Sequence, residues 1–326
     1  MKLVRRQLFA AIIAACAFAS GAVFAQAYPA KTISITVSYP PGGDTDAIAR
    51  LLADHLSKRL KQTVVVENRP GAGGTIGNSY VGRAAADCYN LLFTPNPFTT
   101  APMVLKWAPA NSYDVLNGFE PIIKTAIQPL VLVANPNAGF KSVSEMIAVA
   151  KTGKQLSYAS PGAGSPMHVI AEWLNRVAGV KIQHVPDRGV GPGVVDALAG
   201  HVPTVWATLG AVSQHFTTGR LVPIAIGDAQ RSSLAPNIPT LAESGYKDVV
   251  VGAWNGFFAP KGTPAAVVNL LNSQMNEILK MPEVIEKLAS FGALPVGGAP
   301  GVLGKTNASE FEVMTKVIKD LGITAE

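Results

Sequence analysis

Tyr39-Pro40-Pro41-Gly42-Gly43-Asp44-Thr45-Asp46 follows a β-branched run, Thr32 to Val37, and precedes a helical pattern from Ala47 to Leu60. Strand, glycine turn and helix in that order open a βαβ unit. Glycine lets the backbone come close to a ligand, and the helix that follows begins with unpaired N–H groups and a partial positive charge. Such a turn can hold an anion without any cationic side chain. A second stretch has nearly the same chemistry: Ser160-Pro161-Gly162-Ala163-Gly164-Ser165-Pro166, between a strand at Leu156 to Ala159 and a helix at Pro166 to Ala178. Neither is a Walker A loop, because no Gly-Lys-Ser/Thr follows. Thr45, Asp46 and Ser165 also read as helix caps, with Pro166 at the first helical position. Two such turns facing one another, each at the carboxyl end of a strand, make a site for an acid.

Outward from these turns the rhythm continues. Thr63 to Glu67 is a strand, Ile76 to Ala85 a helix and Leu91 to Thr94 a strand; around the second turn, Pro129 to Ala134 is a strand and Ser144 to Ala150 a helix. Further strands are expected at Ile182 to Val185, Val202 to Ala207 and Val222 to Ile226, with helices at Ala265 to Leu279 and Ser309 to Leu321. This is an α/β chain with mainly parallel pairing. Two stretches, Glu120 to Val133 and Val249 to Ala259, are long, extended in propensity and poor in charge. They predict two crossings between lobes, a hinge. The expected division is 26–127 plus 250–326 for one lobe and 128–249 for the other, behind a segment 1–25.

That first segment sets the compartment. Lys2, Arg5 and Arg6, an apolar core from Leu8 to Ala19, and Val23-Phe24-Ala25 make a cleavable signal peptide, with cleavage near Ala25 and export to the periplasm expected. Ile13-Ala14-Ala15-Cys16 loosely resembles a lipoprotein processing box, the competing reading. Without Cys16, Cys88 stands alone and no internal disulfide forms. The chain has 48% apolar residues, and its length favours two lobes. Its 27 basic and 21 acidic side chains give +6, or +3 without the three signal-peptide cations. No cluster of basic residues suggests nucleic acid.

The motifs resemble one family throughout. Pro-Gly-Gly-x-Thr-Asp at 41–46, Glu67-Asn68-Arg69-Pro70-Gly71-Ala72-Gly73-Gly74 with Ile76-Gly77, Ser160 to His168, and His184-Val185-Pro186 with Gly189 carry the likeness. So do Ala229-Gln230-Arg231-Ser232, Pro239 to Tyr246, the Trp254–Gly256 neighbourhood and Pro260 to Pro264. Together they are similar to the extracytoplasmic solute receptors of tripartite tricarboxylate transporters, the Bug-type receptors. The resemblance implies a type II periplasmic-binding-protein fold, two α/β lobes joined by two crossing strands and closing over a ligand carboxylate. Carried over, the first turn contributes Tyr39, Gly42, Gly43, Asp44 and Thr45; the second contributes Ser160, Ala163, Gly164 and Ser165, with His168 just inside its helix. Thr94 and Asn96, at the end of the third strand, are placed to line the cleft.

The chain departs from the family pattern at Asp44, where a neutral residue is common, and at Asp187-Arg188, where an aromatic followed by a lysine is common. If both carboxylates face the cleft they repel a second ligand carboxylate and suit an ammonium or a hydroxyl-rich ligand. Ala207 stands where relatives frequently carry an acid, so Asp187 is a candidate replacement. Of the five histidines only His168 lies in a site turn, and none is spaced for a metal. Ser165 and His168 lack a nucleophile elbow and an acid partner, which argues against an exported hydrolase. No catalytic residue, metal or cofactor is expected. The expectation is a monomeric receptor that captures a small organic acid and delivers it to integral membrane permease subunits; a periplasmic sensor presenting the same acid to a signalling receptor fits equally. Ligand identity stays open.

Overall fold

The computed structural model describes residues 28–105 and 112–324; the signal-peptide segment and Cys16 lie outside the described residues. In chain order the elements are β1 (Ile33–Val37), α1 (Asp44–Leu60), β2 (Val64–Asn68), α2 (Thr75–Gly82), β3 (Asn90–Pro95), α3 (Pro97–Val104), β4 (Phe119–Gln128) and β5 (Leu130–Ala134). Then come α4 (Val143–Lys151), β6 (Ser157–Ser160), α5 (Pro166–Ala178), β7 (Gln183–Pro186), α6 (Val190–Ala199), β8 (Thr204–Thr208), α7 (Leu209–Val212) and β9 (Val222–Ile226). The chain ends with β10 (Ala253–Pro260), α8 (Ala265–Leu279), α9 (Pro282–Ser290), β11 (Leu294–Pro295) and α10 (Pro300–Leu321).

The strands form two sheets, β11-β4-β10-β3-β1-β2 and β7-β6-β8-β5-β9. β1 pairs in parallel with β2 and β3, and β6 in parallel with β7 and β8, as the strand–turn–helix rhythm requires. The strands that enter or leave each sheet from the other lobe, β4, β10, β5 and β9, pair antiparallel. Each sheet is packed on its own apolar cluster. Ile33, Ile35, Leu52, Phe93 and Phe257 lie at the centre of one, Leu132, Tyr158, Ile170 and Trp206 of the other, all buried. The structure is the two-lobed α/β molecule that the glycine turns imply.

Between the sheets the chain passes through a single residue: β4 ends at Gln128, β5 begins at Leu130, and Pro129 sits between. The return path runs from Ile226 to Ala253 and is tied to the outward one, since Gly227 N donates to Leu130 O (2.8 Å) and Val251 N to Gly227 O (2.9 Å). At the junction Gln128 Oε1 accepts from Asn255 Nδ2 at 2.7 Å.

Several elements differ from the sequence reading: α7, α9 and the two-residue β11 stand where no element is expected, and α3, α6 and α10 depart for reasons of composition. α3 contains Pro97 and Pro102, and α6 opens with Val190-Gly191-Pro192-Gly193, so neither shows a helical pattern. α10 begins at Pro300, nine residues before Ser309, because Gly301 and Gly304 dilute its first turns. That helix packs on both lobes: Leu303 joins the cluster of Phe98, Trp254 and Phe258, while Met314, Ile318 and the following Ile323 join that of Leu132 and Trp206. Gly256 in β10 is a glycine for this reason, since a Cβ there would stand 2.9 Å from Leu303.

Candidate functional site

Asp46 builds the first turn. It is buried beneath the turn and gathers three donors: Gly42 N (3.0 Å), Arg50 Nε (2.9 Å) and Asn68 Nδ2 (2.8 Å). Burial pushes its carboxyl up, but the bonds from Arg50, Gly42 and Asn68 outweigh this and hold it below the ordinary carboxylate range. Asn68 also donates to Tyr39 O, which fixes the start of the turn. Gly42 has φ +87°, a conformation other residues adopt only with strain. With Asp46 turned inward, Gly43 caps α1 without a side-chain bond. The N–H groups of Gly43, Asp44 and Thr45 meet no acceptor among the described residues.

The second turn is braced by its own side chains. Ser165 caps α5, accepting from His168 N (3.2 Å) and donating to Gly162 O (2.7 Å). His168 Nδ1 accepts from Gly164 N (3.1 Å), and its ring stacks on His184 with centroids 3.9 Å apart. Burial pushes both imidazoles down to about 4, so both are neutral at pH 7. Ser160 Oγ lies 2.6 Å from His184 Nε2 and also accepts from Gly162 N. The N–H groups of Ala163 and Met167 have no acceptor among the described residues.

Both turns line one cavity of about 450 Å³ between the sheets. Of the residues expected in the site, Tyr39, Gly42, Gly43, Asp44, Thr45, Asn96, Ala163, Gly164 and Ser165 stand on its wall. Four do not. Thr94 is buried, its hydroxyl 2.9 Å from that of Ser38; Ser160 and His168 support the second turn from behind. Asp187 is turned under the next βα turn, its Oδ2 buried without a partner beside Gly193. It is Arg188 that reaches the cavity, with Gly189 to Pro192 as a third glycine turn at the start of α6. The sequence carries this turn as strand, glycine and proline in the same order, a signal left unused. Gln128 from the crossing and Thr208 from the end of β8 also line the cavity.

The walls meet at several points. Thr208 Oγ1 donates to Asp44 Oδ2 across the cavity at 2.8 Å, and Gln128 Nε2 approaches the same oxygen at 3.4 Å. Thr100 Oγ1 donates to Gly164 O (3.0 Å), and Val104 leaves no room for a Cβ on Gly164. Elsewhere the backbones touch: a Cβ on Gly210 would lie 2.1 Å from Phe291 O, and one on Gly292 2.2 Å from Gly210 N. Tyr39 Oη is engaged with Gly73 O (3.1 Å), so Tyr39 offers the cavity its ring face. Cys88 is buried, and its thiol is pushed up to about 12 by burial, which makes it a packing residue.

Two lobes, a hinge of two passages, and a cavity edged by helix N-termini at the strand ends define the class of periplasmic solute-binding receptors. Residues 48–323 match the model of the tripartite tricarboxylate transporter family receptors. BugT of Bordetella pertussis is 37% identical over 325 residues, covering 99% of both chains. Among solved structures, the periplasmic binding protein BugD superposes with a TM-score of 0.81 at 31% identity, covering 92% of this chain and all of that one. MatC of Rhodopseudomonas palustris with bound malate gives 0.79 at 29% identity, covering 89% of this chain and all of that one. The chain belongs to the tripartite tricarboxylate transporter receptor family, a family of receptors and not of enzymes. No helix among the described residues is long and apolar enough to cross a membrane, and none of their acidic, histidine or cysteine side chains are grouped to hold a metal ion.

Proposed function

We propose that this receptor captures a small carboxylate-bearing solute in the cavity between its lobes, in the periplasm, and delivers it to the permease subunits of a tripartite tricarboxylate-type transporter. The observation that carries the reading is the set of backbone N–H groups at Gly43, Asp44, Thr45, Ala163 and Met167 that have no acceptor among the described residues and belong to two turns lining one cavity. Helix N-termini of this kind favour an anion. MatC, solved with bound malate, is a relative that holds such an anion. We further propose that the molecule acts as a monomer, with 26–127 plus 250–326 and 128–249 as the two bodies that close around Pro129. Closure around cargo is what a permease could read.

Thermal melting of the protein with mono-, di- and tricarboxylates tests the reading, because a ligand that binds only the folded state raises its stability by mass action. Gly43→Trp is the informative variant. A Cβ at Gly43 meets nothing within 4 Å, and its φ is −84°, so the indole fills the cavity without straining the fold. The expected outcome is a melting shift with one carboxylate class in the native protein and none in the variant, whose own melting temperature is unchanged. A panel without any responding carboxylate refutes the reading.

A further inference from the structure

The first turn offers a ligand two opposite things from one residue. Asp44 N–H is one of the unpaired donors that await an anion, yet the Asp44 side chain is itself an anion on the same wall. Its Oδ2 accepts from Thr208 and Gln128, both neutral, and no ion pair among the described residues reaches it. The same cavity is lined by several proline, glycine and alanine residues, Pro40, Pro41, Gly42, Pro95 and Ala253 among them, which offer a charge no side-chain partner. Burial raises its carboxyl, and the bonds from Thr208 and Gln128 only partly offset this. A half-buried carboxylate in such a place is stabilised by a cation. Arg188 is the cation on the wall, but it belongs to the third turn and is exposed; it forms no ion pair with Asp44.

We infer that Asp44 is the specificity-determining residue of the cavity and that it selects a zwitterionic solute, an α-amino acid, by pairing with its ammonium while the turn N–H groups hold the neighbouring carboxylate. This rests on the carboxylate-capture reading and narrows it. An α-amino acid has its two charges separated by two bonds, the separation that donors and acceptor on one residue require. A plain dicarboxylate brings a second negative charge toward Asp44 and is disfavoured. Thr208 holds the acid from the opposite lobe, so the acceptor is in place only when the walls approach.

The test uses pairs that differ only by the amino group: succinate with aspartate, glutarate with glutamate, and butyrate with 2-aminobutyrate, titrated calorimetrically into the full mature protein. The native protein is expected to prefer the amino member of at least one pair by about ten-fold or more, the range of a charge-assisted hydrogen bond. Asp44→Asn, which keeps shape and loses charge, is expected to erase that preference, and Asp44→Ser to do the same should the amide misfold. A native preference for the unaminated acids, or a preference that survives both substitutions, overturns the inference and leaves carboxylate capture standing. Silence of all six compounds, together with a failed carboxylate panel, overturns both.

Discussion

At the scale of single residues, the first turn holds two carboxylates in different settings, Asp46 as its brace and Asp44 on the cavity. Asp46 sits two positions from Asp44, yet one is buried under three donors and the other faces the cavity. Asp46→Ala leaves Gly42 N–H and Asn68 without their acceptor. We expect a loss of about 2–4 kcal/mol in urea unfolding, the cost of removing a charged acceptor from several buried donors, together with weakened ligand binding. Asp46→Asn retains part of both. The turns were legible in the sequence because their chemistry is local: Pro-Gly-Gly and Gly-Ala-Gly announce themselves within eight residues. Gln128 and Thr208 were not, since each is a polar residue at the end of a strand with no turn motif beside it and faces the cavity only through register. Asp187 and Arg188 are adjacent letters, and which of them faces the cavity is decided by the turn's geometry. The acid opposite Ala207-Thr208 proves to be Asp44, which comes from 164 positions away.

At the scale of elements, helices rich in proline and glycine escaped the periodic reading, as did the short α7, α9 and the two-residue β11, while the longer strands did not. α3 and α6 are built on Pro97, Pro102 and Pro192, yet α3 carries Thr100 and Val104 against the second turn and α6 opens the third. Proline is tolerated in a first helical turn, where its missing N–H costs nothing, as at Pro97 and Pro192; Pro102 lies inside α3, and Phe98 O, four residues before it, accepts from Tyr113 Oη instead. α7 is only four residues long, but it brings Gly210 against Phe291 and Gly292 of the facing lobe. Gly210→Val puts a side chain where 2.1 Å separates a Cβ from a carbonyl oxygen, so the lobes must part. The expected result is a larger radius of gyration by small-angle scattering and weaker binding, with the individual lobes intact. A variant with native dimensions and affinity would show that this contact does not set the closed state.

At the scale of the whole molecule, the passage between lobes carries a set of ionisable groups distinct from the cavity. Asn96 Nδ2 donates to Glu310 Oε1 (2.8 Å), and Trp254 Nε1 donates to the other oxygen of the same carboxylate. Burial pushes Glu310 from its ordinary 4.5 up to about 7, and Asp228 likewise to about 7, with Lys124 nearby pulling both down in part. An acid raised in the folded state contributes stability that is complete below its unfolded value and is lost as pH rises through about 7. His168 and His184, lowered to about 4, contribute stability that is present above 6.5 and lost as pH falls through about 4. The two sets act over one window in opposite directions. Glu310→Gln removes one of the two opposing acids and leaves Asp228, so its melting temperature is expected to climb more steeply between pH 4.5 and 7 than that of the native protein. Parallel curves would show that Glu310 does not titrate in that range.

α10 gives one more consequence. Leu303 fills one core while Met314, Ile318 and Ile323 fill the other, each buried side chain contributing about 1.5–3 kcal/mol. α10 follows every strand in chain order, so a nascent chain that has produced them all still shows bare apolar surface on both halves, and α10 seals the two at once, like a latch on a hinged case.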